Sequence, residues 1–235
     1  MTMTAPSSSA DRQRAALPKQ ERSRATRDRI LRSTIACLAE FGWHRTTTSV
    51  VAERTGISRG ALQHHFPTRE DLFLTAIDYM FDEQNQFGLF GPETVAGKGD
   101  DFDFIVEKVL EFYASDTFKA ALQIWTVGAS EPALKERVRP LEDKFARGIY
   151  DQTVKFLDAD VSDERTHRFI QTTLDLARGL GLADLLSDDS SRRKRIARFW
   201  AGEMRSIKRN SDRPEGTGAD EAGAVQTGTT EDGSE

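Results

Sequence analysis

Apolar residues recur at three- and four-residue steps along most of the chain, the spacing of one buried helix face. In TRDRILRSTIACLAEFG the step selects Ile30, Leu31, Thr34, Cys37, Leu38 and Phe41, with Arg27, Arg29, Arg32 and Glu40 on the polar side and Gly42 as the predicted end. Two much shorter helices follow. Thr47 is placed to cap Thr48 to Thr55, because its hydroxyl can accept from an orphan backbone N–H. Gly56 tolerates the left-handed turn that closes such a helix. Ser58 caps a second, Arg59 to about His65, which Pro67 cannot continue. Thr68, with Asp71 three residues on, opens another in the manner of a capping box. Two helices of about two turns joined by a glycine-containing turn make a helix-turn-helix. Such a unit is too small to stand alone, so the preceding helix must support it around Ile30, Leu38, Val51, Ala52, Ile57 and Leu62.

The pattern continues after Thr68. DLFLTAIDYMFDEQNQF repeats with Leu72, Phe73, Ala76, Ile77, Met80 and Phe81, then breaks at a Gly-rich stretch from about Gly88 to Asp100. FDFIVEKVLEFYA resumes it. TFKAALQIWTVGAS is apolar on nearly every side, which predicts a helix enclosed by neighbours. EPALKERVRP places Pro132 at a favoured first-turn position. Pro140 either kinks that helix or opens a new one over LEDKFARGIYDQTVKFLDA. A long helix is predicted from about Ser162 to Leu186 and a last one from about Ser190 to Ile207. The predicted fold is all-α with about nine helices and no strands. Residues 1–18 read as a disordered basic arm, 19–68 as the helix-turn-helix domain, 69–208 as a larger helical ligand-binding and dimerisation domain, and 209–235 as a disordered acidic tail.

ILRSTIACLAEFGW, TTTSVVAERTGIS and RGALQHHFPTREDLF, in that order and spacing, resemble the DNA-binding domain of TetR-family (tetracycline-repressor-like) transcriptional regulators. The resemblance covers about residues 26 to 75. It implies a DNA-binding head on a helical body that dimerises and binds an apolar or aromatic effector, and it places Thr47, His65 and Arg69 at positions that commonly hold the DNA backbone. Three residues depart from the family pattern: Gln63 replaces a usual tyrosine, His65 a common aromatic, and Val50 a usual acid.

The net charge of −5 at first argues against a nucleic-acid partner. Its distribution reverses that. Residues 1–69 carry 12 Lys and Arg against 5 Asp and Glu, a surplus of +7, whereas residues 70–235 carry 21 against 33, a balance of −12. A basic end on an acidic remainder suits a chain that touches DNA at one end only. The single cysteine, Cys37, lies on an apolar stripe, which excludes an internal disulfide and fits a reducing, cytoplasmic, bacterial setting. No apolar run approaches the ~20 residues needed to span a bilayer, and no hydrophobic signal segment opens the chain.

A helix that reads DNA must enter the major groove, and the one from Arg59 is the candidate. Arg59 can pair with guanine and Gln63 with adenine. Gly60 and Ala61 let the backbone approach, and His64 and His65 diverge on the helix. Arg27, Thr47, Thr48, Ser49, Ser58 and Arg69 complete the candidate DNA set, the hydroxyls, cations and helix-start N–H groups being suited to phosphate. The candidate effector set is Met80, Phe81, Phe104, Tyr113, Phe118, Leu122, Trp125, Thr126, Tyr150 and Asp175, with the helix around Leu122 and Trp125 as the expected wall; ordinary core packing is the competing role for each. Phe169, Thr173, Ala177, Leu180, Gly181, Phe199 and Trp200 are candidates for a four-helix homodimer interface, or for packing within one protomer. Adjacent histidines cannot easily share one ion, so no metal is expected. No cofactor is expected either, and no nucleophile–base pair or phosphate-cradling glycine motif points to an enzyme. The expected function is a sequence-specific regulator, a repressor released by its effector, acting on a near-palindromic duplex operator; the alternative is a constitutive architectural DNA-binding protein without an effector.

Overall fold

The computed structural model describes residues 19–87 and 101–212. Among them are nine α-helices: α1 (Lys19–Arg45), α2 (Thr48–Thr55), α3 (Arg59–His65), α4 (Arg69–Phe87), α5 (Phe102–Tyr113), α6 (Asp116–Ser130), α7 (Pro132–Leu157), α8 (Glu164–Ala183) and α9 (Ser190–Met204), followed by a single 3₁₀ turn, Asn210–Asp212. The predicted basic arm over 1–18 and the Gly-rich break lie outside the described residues.

Local chemistry sets the boundaries. The Thr47 hydroxyl accepts from the Val50 N–H, Ser58 from Ala61, Thr68 from Asp71, Asp101 from Phe104, Ser115 from Phe118 and Asp163 from Thr166. Each satisfies one orphan donor of a first turn. Gly56 closes α2 at φ 67, ψ 30, the left-handed region that glycine enters without strain.

Three predicted boundaries shift. Gly42 does not finish α1: it breaks the helix at φ 74, ψ 178, and the helical trace resumes to Arg45. Pro140 lies inside one continuous α7. Residues 209–212 are not part of a free tail. Arg209 pairs with Ala159 in an isolated antiparallel bridge, and Asp158 accepts from the Asn210 and Ser211 backbones. The rest of the predicted tail lies outside the described residues.

One face of α1 buries Ile30, Leu31, Thr34, Cys37 and Leu38. It packs against α2 and α4, and also against α6 of the body. In the body the rings of Phe81, Phe112, Trp125 and Tyr113 gather around Phe145. Phe81 stacks on it at 4.3 Å, and the other centroids lie 5.4–6.1 Å away. α7 also grips α4 along its length: Arg137 pairs with Asp71 at 2.6 Å and Lys144 with both Asp78 (2.7 Å) and Asp82 (2.6 Å).

Candidate nucleic-acid interface and effector cleft

α3 is almost entirely outside the core. Leu62 is its one buried residue, whereas Arg59, Gly60, Ala61, Gln63 and His64 are exposed and His65 is half-buried. The helix is pinned by that leucine, by the Ser58 cap and by the Phe66 N–H, which donates to the Leu62 carbonyl at 2.9 Å. Phe66 itself is buried, and the Arg27 guanidinium lies 4.9 Å over its ring. Arg27 is therefore brought beside the end of α3. The imidazoles of His64 and His65 are 5.9 Å apart and inclined at 63°, and no group of three or more metal-ligating residues occurs among the described residues.

α2 supplies the second edge. Thr47 is exposed at its start, with Thr48 and Ser49 half-buried. Thr46 is buried and donates to the Cys37 carbonyl at 2.9 Å, fastening the turn to α1. Burial pushes the Cys37 thiol up from its ordinary range, while the nearby Arg54 works against that shift. Arg54 is itself paired with Glu40 at 2.6 Å.

Arg69, a candidate for the phosphate backbone, faces the junction of head and body. Its guanidinium turns inward, donates to the Trp43 carbonyl, and lies 4.7 Å over the Trp43 ring and 4.9 Å over Phe73. Desolvation depresses its pKa, as expected for a cation sandwiched between rings. Trp43 and Gln123, both absent from the candidate sets, emerge at the same junction: Gln123 accepts from the Trp43 N–H at 3.2 Å. The signal for Gln123 was present in the sequence as a lone amide on an otherwise apolar helix.

The effector candidates divide. Tyr113, Tyr150 and Asp175 come together, with Ala146, Gln171, Leu174 and Arg178, around an open cleft of about 310 Å³ between the end of α5, α7 and α8. Tyr113 is fully buried, and its hydroxyl has no hydrogen bond of good geometry although the Arg178 guanidinium lies 6.0 Å over its ring. Burial raises the Tyr113 pKa, and Arg178 opposes the rise. The Tyr150 hydroxyl shares a 2.6 Å hydrogen bond with His167 Nδ1, and Asp175 pairs with Arg178 at 3.2 Å. Met80, Phe81, Phe104, Phe118, Leu122, Trp125 and Thr126 do not line this cleft. Phe81 and Phe118 are core, and the half-buried Trp125 lies 5.7 Å from the Phe145 ring. Thr126 is exposed and donates to the Leu122 carbonyl at 2.7 Å.

Four dimerisation candidates also turn inward. A Cβ on Gly181 would stand 2.1 Å from the Tyr113 carbonyl oxygen, so its smallness serves the approach of α8 to α5 within the protomer. Ala177 and Leu180 are buried, and Thr173 accepts from the Trp200 indole N–H at 2.8 Å. Phe169 and Trp200 are half-buried against each other at 5.8 Å. Phe199, 67% exposed, stands with Leu182, Leu185 and Leu186 as the outward apolar residues of α8, α9 and their connection.

Residues 30–76, which span α2, α3 and parts of the helices flanking them, match the family model for bacterial regulatory proteins of the tetR family. Residues 30–76 are a DNA-binding domain of the tetR type. The regulator CymR of Pseudomonas putida is 22% identical over 177 residues, which are 75% of this chain and 87% of that one. The repressor AcnR of Corynebacterium glutamicum is 45% identical over 49 residues, 21% of this chain and 26% of its own. A TetR-family regulator from Rhodococcus sp. has the same fold, with a TM-score of 0.57 at 20% identity over 77% of this chain and 97% of that one. The protein is a DNA-binding transcriptional regulator and not an enzyme. No helix among the described residues is long and apolar enough to cross a membrane.

Proposed function

We propose that the protein is a ligand-responsive repressor that binds a near-palindromic operator as a homodimer. The observation that carries this reading is α3, a capped helix with one buried anchor, Leu62, and with Arg59, Gly60, Ala61, Gln63 and His64 exposed to meet a groove. Arg59 and Gln63 hydrogen-bond to nothing among the described residues. In this reading the two α3 helices of a dimer enter successive major grooves about 34 Å apart. Arg59 and Gln63 read base edges, while Thr47, Thr48, Ser49, Ser58, His64, His65 and Arg27 hold the backbone.

The dimer forms through the outward apolar residues of α8, α9 and their connection, Leu182, Leu186 and Phe199, where Gly179 and Gly202 leave open space for a partner helix. Helices whose other faces are committed to the protomer core are rigid enough to present such a surface. The effector enters the cleft beside Tyr113. Five of its seven lining side chains are polar, so the effector in this reading carries polar groups as well as a ring. It acts as a releasing ligand only by preferring one spacing of the two heads over the other.

Selection of bound duplexes from genomic fragments tests the reading. The expected product is a two-half-site operator occupied by two protomers. Gln63→Ala should then change which sequences are preferred; equal loss on every sequence removes its base contact. Phe199→Glu should yield monomers in sedimentation and weaken operator binding. A wild-type chain that stays monomeric and shows no preference among duplexes sinks the proposal. A library screen in which no small molecule changes operator affinity leaves the constitutive alternative.

A further inference from the structure

Head and body meet at Trp43, whose backbone is held from two sides. The Gly42 conformation, φ 74 and ψ 178, lies in a region that side-chain-bearing residues avoid. It turns the Trp43 N–H out of the α1 ladder, and Gln123 Oε1 of α6 accepts it at 3.2 Å. The carbonyl of the same residue accepts from Arg69 at the start of α4. That guanidinium covers the indole, and the indole meets Phe73 edge-on at 5.1 Å. A Cβ on residue 42 would stand 3.0 Å from Gln123 Oε1, which would have to give by a few tenths of an ångström, so it is the dihedral that calls for glycine. A short way along the chain Thr46 anchors the turn and Thr47 caps α2. A displacement of the Trp43 peptide is therefore passed directly to the start of the helix-turn-helix.

We infer that Gln123 and Arg69 are positioning residues that clamp the Trp43 peptide and make the setting of α2 and α3 depend on where α6 and α4 lie. The inference rests on the reading that the head grips an operator and the body regulates it. Both helices are tied to the cleft. Phe118 of α6 meets Tyr113, on the cleft wall, edge-on at 4.9 Å. α7, which carries Tyr150, holds α4 through Lys144 and Arg137. Two routes from the cleft thus converge on one peptide unit. Coupling of this kind is reciprocal, so duplex binding at the head must be felt in α6.

Hydrogen exchange on the full-length chain, with and without a selected operator duplex, tests the clamp and needs no effector. In the wild type, operator should slow exchange across residues 48–65 and also across 116–130, the latter by about fivefold or more. In Gln123→Leu, which keeps bulk but removes the acceptor, protection should remain at 48–65 and disappear from 116–130. Gln123→Glu, which keeps an acceptor oxygen, should restore it. Circular dichroism checks that each variant is folded, and Gln123→Met replaces the leucine variant if that one is not. Wild-type protection confined to residues 19–87, or an acceptor-less variant that transmits as the wild type does, overturns the clamp. A chain in which no duplex slows exchange at 48–65 fails at the DNA reading itself, and the clamp falls with it.

Discussion

The head and the body use small and polar residues in opposite ways. In α2 and α3 hydroxyls stand at helix starts, and in α3, the helix proposed to enter the groove, Leu62 alone is buried. In α8 three small residues point in: Gly181 receives the Tyr113 carbonyl, Ala177 is buried, and Thr173 holds the Trp200 indole. A short helix with one anchor has its surface available for a ligand and depends on its caps for existence. A long helix packed on several sides has shape to spare, and its sequence is constrained by neighbours far away in the chain.

The sharpest way to break this contrast is at the two glycines of α8. Gly181→Ala should destabilise the chain by about 3 kcal/mol or more, since both atoms that would collide are close to rigid backbone and overpacking is costly even where side chains can yield. Gly179→Ala, where nothing lies within 4 Å, should be neutral or stabilise by up to ~1 kcal/mol, the ordinary helix-propensity gain. Equal effects in denaturant unfolding would show that α8 is not packed as described.

Two arginines give the next largest effect. Arg69→Ala should cost about 2 kcal/mol of stability, from two ring stacks and one carbonyl hydrogen bond. Arg59→Ala should leave the melting temperature unchanged and weaken operator binding by about 1–3 kcal/mol. Reversed roles in melting and anisotropy titrations would return Arg69 to the phosphate set.

Ser58→Ala should lower stability by about 1 kcal/mol through loss of the cap on α3, with a parallel loss of operator affinity. The smallest effect is expected at Asp163, whose carboxyl is held down to about 2 by Lys208 and by the Thr166 N–H. A carboxylate with a depressed folded-state pKa contributes stability that is fully present above its ordinary 3.8 and is lost as pH falls toward 2. Asp163→Asn should flatten that acid dependence in a pH series of thermal melts.

The helix-turn-helix was legible because its determinants are local. Thr47, Gly56, Ser58 and Pro67 each act within four residues, and the structure uses them as caps and stops. The buried stripe of α1 follows from periodicity alone. What could not be read were relations across long separations. Periodicity marked Thr173, Ala177 and Gly181 as one face of a helix, but a face says only that something packs there, and here it is α5 and α9 of the same protomer. Tyr113, Tyr150 and Asp175 were singled out as polar or aromatic groups in an apolar body, and they meet at the cleft. Arg178, one turn beyond Asp175, was not singled out, since its charge in sequence looks like any solvated cation. Arg69 shows the same limit: a cation at a helix start reads as a phosphate ligand, and the rings of Trp43 and Phe73 beside it are not visible in the sequence.

The glycine break in α1 bears on modularity. Because the peptide after Gly42 takes its acceptor from a residue some eighty positions later, this DNA-reading end is not an interchangeable cartridge. A chimera carrying residues 19–87 on a foreign body would inherit an unmatched amide at the seam unless the recipient offered an oxygen where Gln123 stands. Grafting in the other direction meets the same requirement, so successful hybrids should be those in which the glycine and the distant amide travel together.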